Sequence, residues 1–416
     1  MKTKSSQLAA AFAVFTACTG IALGDAKQAA QSINEFGLDL HRKIDGNAVT
    51  SPWSIQSALG MTFAGAAGQT HDEMRKTLRF PENEATLHNG LAAIAADLEA
   101  MAEASRERLE NPDRRGGPNT AIDIRLANRL FGQKDYPFIE DFLTLTRETY
   151  AAPLQPMDFQ NAPDSSRIKI NEWVAGQTNA RITDLIPAGL IDEDTRMVLA
   201  NAVYLLAPWA QEFSTESEAP FFVDGNEQVR VDGLHKTARF GHMEIPGGTL
   251  VSVPYDGHGM SFLLMVPDER DGLAAFEATL TAEILASAAE MPTVNMKLHF
   301  PKFKIEPPST QLKDHLIAMG MPTAFDQPRG SADFSRMAPR KPNDYLCISE
   351  VVHRAFIAVD QYGTEAAAAT AVIMMRMASA VRDEPLEVRI DRPFAFAIQH
   401  KASGACLFLG RVTDPR

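Results

Sequence analysis

Cysteine is scarce in this chain, with three residues in 416. That excludes a disulfide-stapled scaffold and a cysteine-rich zinc module. Positive charge is in deficit: 40 Lys and Arg stand against 53 Asp and Glu, a formal net charge of -13. Nucleic-acid binding needs cationic side chains against phosphate, so this balance argues against a nucleic-acid partner. No HExxH stretch occurs, which leaves a zincin site unsupported. A GxSxG elbow, a Walker loop and a dinucleotide fingerprint are all missing, so the common serine hydrolases and nucleotide-binding folds are unsupported too. His235, His242 and His258 lie loosely together at spacings that fit no metal motif, and read as surface or loop histidines. No internal repeat and no clear linker interrupts the chain.

What is present suits a filled core, with 45% hydrophobic and 22% charged residues. The length would allow two or three domains at roughly 150 residues each. The absence of a linker favours one. Residues 1–24 form a separate unit. Lys2 and Lys4 precede an apolar run from Leu8 to Ala17, and Ala22-Leu23-Gly24 offers small residues for cleavage. This is the pattern of a secretory signal peptide, and it leaves 25–416 as a single domain. The run is shorter than the ~20 residues of a membrane span. Phe15-Thr16-Ala17-Cys18 weakly resembles a lipoprotein cleavage box, so membrane attachment is expected only if Cys18 is lipidated. Cys347 and Cys406 sit in apolar, strand-like runs and read as buried free thiols.

The first third reads as mostly helical. Ile33, Phe36, Leu40 and Ile44 recur at helical spacing. Ser51-Pro52 opens a second helix, with Ile55, Leu59 and Phe63 as its apolar stripe and Ser51 or Ser54 as its cap. Thr70 and Glu73 have the spacing of a capping box. Residues 90–110 read as an acidic helix, 111–119 as a protease-sensitive loop, and 121–131 as a strand. Arg196 to Leu206 contains a nearly unbroken apolar run, a strand buried on both faces, in which Asn201 requires partners. A hairpin is expected around Asp224-Gly225-Asn226. Strands follow at 250–254, 261–266, 386–390, 394–398 and 406–409. Helices first and many strands later argue for an α+β fold with large, mainly antiparallel sheets.

Residues 363–377, GTEAAAATAVIMMRM, read by composition alone as an Ala-rich helix. Their setting argues otherwise. They run from the strand-like stretch Ile348–Asp360 to the charged Arg382-Asp383-Glu384-Pro385 and another strand. Here the chain resembles the serpin family. Asp360-Gln361-Tyr362-Gly363-Thr364-Glu365, followed by Ala366-Ala367-Ala368-Ala369-Thr370, is similar to the hinge of the serpin reactive loop. Asp391-Arg392-Pro393-Phe394 and Leu407-Phe408-Leu409-Gly410-Arg411 resemble the family signature. Asn201-Ala202-Val203-Tyr204 with Trp209 and Phe213, Ser51-Pro52-Trp53-Ser54 and Gly65-Ala66-Ala67-Gly68-Gln69-Thr70 match further motifs in order.

The resemblance implies a serpin fold with an exposed reactive loop at about 361–385. It also implies a suicide inhibitor of a serine protease: the enzyme attacks the loop, and the loop inserts into a sheet with the acyl-enzyme still attached. The partner is then the protease, held covalently, and the inhibitor is a monomer that is not itself an enzyme and uses no cofactor or metal. Inserted as a strand, the loop would place Thr364, Ala366, Ala368 and Thr370 on the covered face and Glu365, Ala367 and Ala369 on the other. All four covered residues are small. The hinge-to-scissile spacing of the family points to Met377-Ala378, which suits elastase-, chymotrypsin- or subtilisin-like enzymes. Arg376-Met377 would suit a trypsin-like enzyme instead, and Arg382 is a third candidate. A non-inhibitory serpin (chaperone, carrier or storage protein) is the alternative.

Ser51, Ser54, Asn201 and His353 resemble the cluster that controls sheet opening, and Trp209 and Phe213 the packing where the loop enters. Gln361 departs from the usual Glu, which would remove an ion pair with Lys302. Ala180 replaces the common Gly, and Pro208 is unusual. Residues 92–110 carry Asp97, Glu99, Glu103 and Glu110 where heparin-binding relatives are basic, so no heparin dependence is expected.

Overall fold

The computed structural model describes residues 4–111, 117–225, 227–365 and 384–416. Helices lead the chain, as α1 (Lys4–His41), β1 (Ala48–Thr50), α2 (Pro52–Gly65), α3 (Gly68–Thr77) and α4 (Glu84–Glu110). The middle alternates through β2 (Asp123–Gln133), α5 (Glu140–Tyr150), β3 (Gln155–Met157) and α6 (Pro163–Gln177). Strands then dominate: β4 (Met197–Pro208), β5 (Ser214–Asp224), β6 (Glu227–Ile245), β7 (Gly248–Pro254) and β8 (Met260–Pro267). After α7 (Leu273–Thr279) and α8 (Ala282–Ala288) come β9 (Thr293–Pro301), β10 (Phe303–Ile305), β11 (Thr310–Gln311) and α9 (Lys313–Met319). The last elements are β12 (Val351–Ala355), β13 (Ile357–Val359), β14 (Gly363–Thr364), β15 (Leu386–Arg389), β16 (Phe394–His400) and β17 (Ala405–Val412).

Two sheets hold the molecule together. One follows the order β1-β17-β16-β8-β7-β6-β9-β15, with β5 added to β6. The other runs β10-β13-β14-β4-β12-β11, with β2 between β3 and β4. Most pairs are antiparallel, and β2·β3, β4·β12 and β9·β15 are parallel. The expected α+β class is the observed one. β4 lies inside its sheet and is buried almost throughout, as its continuous apolar run requires.

Several local expectations change. In α2 the apolar stripe becomes a whole cylinder, because all of its residues are buried. A helix enclosed on every side is mostly apolar, and several of its few polar groups find partners in the interior. Gln56 Nε2, for example, donates to the carbonyls of Ser32 (3.0 Å) and Leu78 (2.6 Å). Ser51 is the cap, its Oγ accepting from Ser54 N at 3.2 Å. The Thr70–Glu73 capping box does not form. α3 starts at Gly68, and Thr70 is buried with its hydroxyl accepting from Asp333 N. Glu73 instead receives Thr323 N and Thr323 Oγ1. The run around Cys347 is not a strand, and its thiol is half-buried. Cys406 is the fully buried one, its thiol pushed up to about 12 by burial. α1 runs on from Lys4 without a break at Gly24. Residues 112–116 of the expected loop lie outside the described residues.

Candidate functional site

The site is the seam between β4 and β12–β13. In its lower part the two strands pair directly and in parallel, from Val351–Leu199 to Ala355–Val203. Phe356 interrupts the strand, and above it the seam is open. There the two-residue strand β14 is wedged in, antiparallel to both neighbours. Val359 faces Thr364, Gly363 faces Pro208, and Thr364 faces Ala207. The segment expected by composition to be a helix therefore begins as a strand.

The wedge is held by a turn and an aromatic wall. Asp360 Oδ1 accepts from Tyr362 N (2.8 Å) and Gly363 N (3.2 Å), an Asx turn that reverses the chain. Burial raises the Asp360 carboxyl above its usual range, against the pull of those two amides. Trp209 fixes this turn from below. Its Nε1 donates to Asp360 O at 2.8 Å and its backbone N to Tyr362 O at 2.9 Å. Phe213 N donates to Gln361 O at 2.9 Å. Trp209 stacks on Tyr255 with ring centroids 4.7 Å apart and meets Phe213 edge-on at 5.8 Å. Tyr255 completes the anchor through its hydroxyl, 2.5 Å from Thr364 Oγ1. Pro208 fits here because β4 ends at it, where a missing N–H breaks no ladder.

The strand pairing at Gly363 itself calls for glycine. A Cβ at this position would strike the Ala207 carbonyl oxygen and come within 2.7 Å of Pro208 Cα. Glycine is what lets the chain lie this close to β4. Thr364 is almost wholly buried, on the covered face as expected. Glu365 points the other way and pairs with Arg181. Burial raises its carboxyl, and the guanidinium opposes that. Arg181 follows two left-handed residues, Asn179 (φ 50) and Ala180 (φ 58). The turn thus survives the loss of the usual Gly, in a conformation that strains alanine. Gln361 makes no ion pair. Its Oε1 is buried with no hydrogen-bond partner among the described residues, and Lys302 acts instead on Asp360.

Beneath the closed part of the seam lies a polar row. Asn128, Asn201, His353 and Thr310 face one another across β2, β4, β12 and β11. Asn201 Nδ2 lies 2.6 Å from Ser54 Oγ, 2.8 Å from Ser54 O and 2.5 Å from Asn128 Oδ1. Asn201 Oδ1 lies 2.5 Å from His353 Nδ1. His353 Nε2 in turn accepts from Ser51 N at 3.1 Å. A neutral ring with its proton on Nδ1 satisfies both contacts, and burial drives the His353 pKa down to about 3. The four expected residues Ser51, Ser54, Asn201 and His353 are therefore together, although Ser51 and His353 lie 302 positions apart in sequence.

The model of the family described as serpin (serine protease inhibitor) matches residues 31–415. This chain belongs to the serpin family. The leukocyte elastase inhibitor of Equus caballus is 34% identical over 405 residues, covering 94% of this serpin and 100% of the relative. Human serpin B4 is 34% identical, with 92% and 98% covered. Uncleaved ovalbumin has the same fold at a TM-score of 0.75 and 27% identity, covering 93% of this serpin and 100% of that chain. This serpin is a serine protease inhibitor and not an enzyme.

Sequence reasoning missed four members of the site. Asp360 had a signal, since Asp three residues before Gly favours an Asx turn. Asn128 had a weaker one, a polar residue within a strand. Tyr255 and Arg181 had none, because their partners Thr364 and Glu365 are far away in sequence. Ala366–Thr370, the candidate scissile bonds Met377-Ala378 and Arg376-Met377, and Arg382 lie outside the described residues, as does the Cys18 side chain. Among the described residues no cluster could hold a metal ion, and no helix is long and apolar enough to cross a membrane. His235 stacks on His299 with ring centroids 5.6 Å apart.

Proposed function

We propose that this serpin traps an elastase-, chymotrypsin- or subtilisin-like protease as a covalent acyl-enzyme, with Met377-Ala378 the bond attacked. The protease serine Oγ adds to the Met377 carbonyl, and the Ala378 amine leaves with a proton from the protease. The Met377 ester then remains on the enzyme. The observation that carries this reading is the docked hinge. Gly363 and Thr364 already occupy the position of an added strand between β13 and β4. The register they set extends by arithmetic, because each further loop residue meets one residue further back along β4. Ala366 then comes opposite Leu205, Ala368 opposite Val203, and Thr370 opposite Asn201. Three small residues in the parity of Thr364 meet the covered face, and the threonine among them arrives at the polar row. A dozen new backbone hydrogen bonds at about 1 kcal/mol net each would release on the order of 10 kcal/mol, so the uncut molecule is a kinetic trap.

Mixing the protein with elastase tests this. The reading expects a band that survives denaturing electrophoresis and a released fragment whose mass begins at Ala378. A fragment beginning at Met377 would move the site to Arg376 and the target to a trypsin-like enzyme. Simple turnover without a stable band would contradict the mechanism.

Export after cleavage at Gly24 is proposed too. The packing of α1 supports it: residues 22–24 are exposed, and burial starts at Ala26, Ala29 and Ala30. Asp25 is the first residue with a described tertiary partner, receiving Asn89 Nδ2 at 3.3 Å. N-terminal sequencing of the exported protein should begin at Asp25, and retention of Met1 would count against export.

A further inference from the structure

A cleft of about 460 Å³ opens between β6, β7 and the turn after Tyr255. That volume lies within the range of small-molecule sites. Its floor is apolar, with Phe240, Val253 and Met291 buried there. Its rim holds Arg239, His258 and Lys401, and no Asp or Glu lines it. In a chain of net charge -13, this is a local reversal of sign. The Arg239 guanidinium donates to Thr293 O at 2.7 Å and to Thr293 Oγ1 at 3.0 Å, which pins it at the edge. Among the described residues the Lys401 ammonium and the His258 ring have no ion-pair or hydrogen-bond partner. Asp256, two residues from His258, lies outside the cleft and is taken by Arg108 at 2.7 Å.

Cationic groups at the mouth of a low-dielectric cleft attract an anion more strongly than the same groups on an open surface. Apolar area removed from water on the floor adds roughly 25 cal/mol per Å². We infer that this cleft binds an amphipathic organic monoanion. Its carboxylate or sulfonate head lies toward Lys401 and His258, and its aliphatic or aromatic body on Phe240, Val253 and Met291. The cleft borders the hinge anchor without sharing its residues. Ala210 N donates to Pro254 O at 3.0 Å, each one residue from the Trp209–Tyr255 pair. The site stands on its own lining and does not depend on the inhibitory reading.

Calorimetric titration of the full chain with decanoate, and with decanol as the neutral control, tests the inference. Decanoate should bind one saturable site, and decanol far more weakly. His258→Asp should weaken decanoate about tenfold, and Asp tolerates the left-handed backbone there (φ 60). Lys401 also borders a neighbouring cleft that contains Glu283 and Glu290, whereas His258 does not. Glu283→Gln should therefore leave decanoate binding unchanged. Absence of saturable binding below about 1 mM, equal binding of decanol, or indifference to His258→Asp would overturn the inference.

Discussion

The two ends of one seam are built from opposite materials. At the top, the sheet is open and wedged by Gly363 and Thr364, and aromatic rings and a single turn hold the wedge. At the bottom, β4 and β12 are closed over a row of amides, an imidazole, the Ser51 cap of α2 and Ser54 in its first turn. The top is a two-residue strand held by one turn, the aromatic rings and the Tyr255–Thr364 contact. The bottom cannot open without stripping buried polar groups of their partners. On the proposed mechanism the top is the trigger and the bottom the resistance to opening.

The largest expected effect comes from breaking the bottom. Asn201→Ala strands His353 Nδ1 and Ser54 Oγ in a dry interior, a loss of about 3 kcal/mol. Urea unfolding should show it, together with faster conversion to inactive or polymeric forms. The next effect is acid sensitivity. His353 is held neutral with a pKa of about 3 against an ordinary 6.5. Below about pH 6.5 the unfolded chain takes up a proton that the native state refuses. Stability is therefore full above that pH and falls as pH drops toward 3. Near pH 5 the loss is about 2 kcal/mol from this residue. Comparing His353→Asn with the parent at pH 8 and pH 5 isolates the term, because the slope should flatten in the variant.

Breaking the top should cost less. Arg181→Ala leaves the Glu365 carboxylate beside the sheet without its cation, worth about 1 kcal/mol given the exposed guanidinium. The hinge should undock more often, seen as faster proteolysis around Glu365 at unchanged global stability. The smallest effect is a gain. Ala180→Gly relieves a left-handed alanine beside Arg181 and should stabilise by up to about 1 kcal/mol, a rise of about 1 °C in melting temperature for a domain of this size. A loss would mean that the turn is not strained.

The two ends also differ in how far they could be read beforehand. The closed end was legible. Asn201 announced itself as an amide inside an apolar run, and the Ser-Pro opening of α2 marked the cap facing it. The open end was half legible. The setting of the segment after Gly363 and its resemblance to the serpin hinge pointed to a strand where composition read a helix, but Tyr255 and Arg181 are invisible in sequence because each meets the hinge from a distant segment. A second demand for glycine at 363, steric closeness to Ala207, is a property of the pairing and is invisible in the sequence. The helices were found more easily than their environments. α2 has a readable stripe, yet only the packed molecule shows that its other face is buried too.

The central claim is that the docked hinge is the first rung of a strand still to be completed. Thermal unfolding of the protein before and after a single cut in 361–385 tests it most directly. Complete insertion predicts a rise on the order of 10 °C in the cleaved form, from some 10 kcal/mol of added strand. Cleaved and intact molecules melting at the same temperature would contradict it.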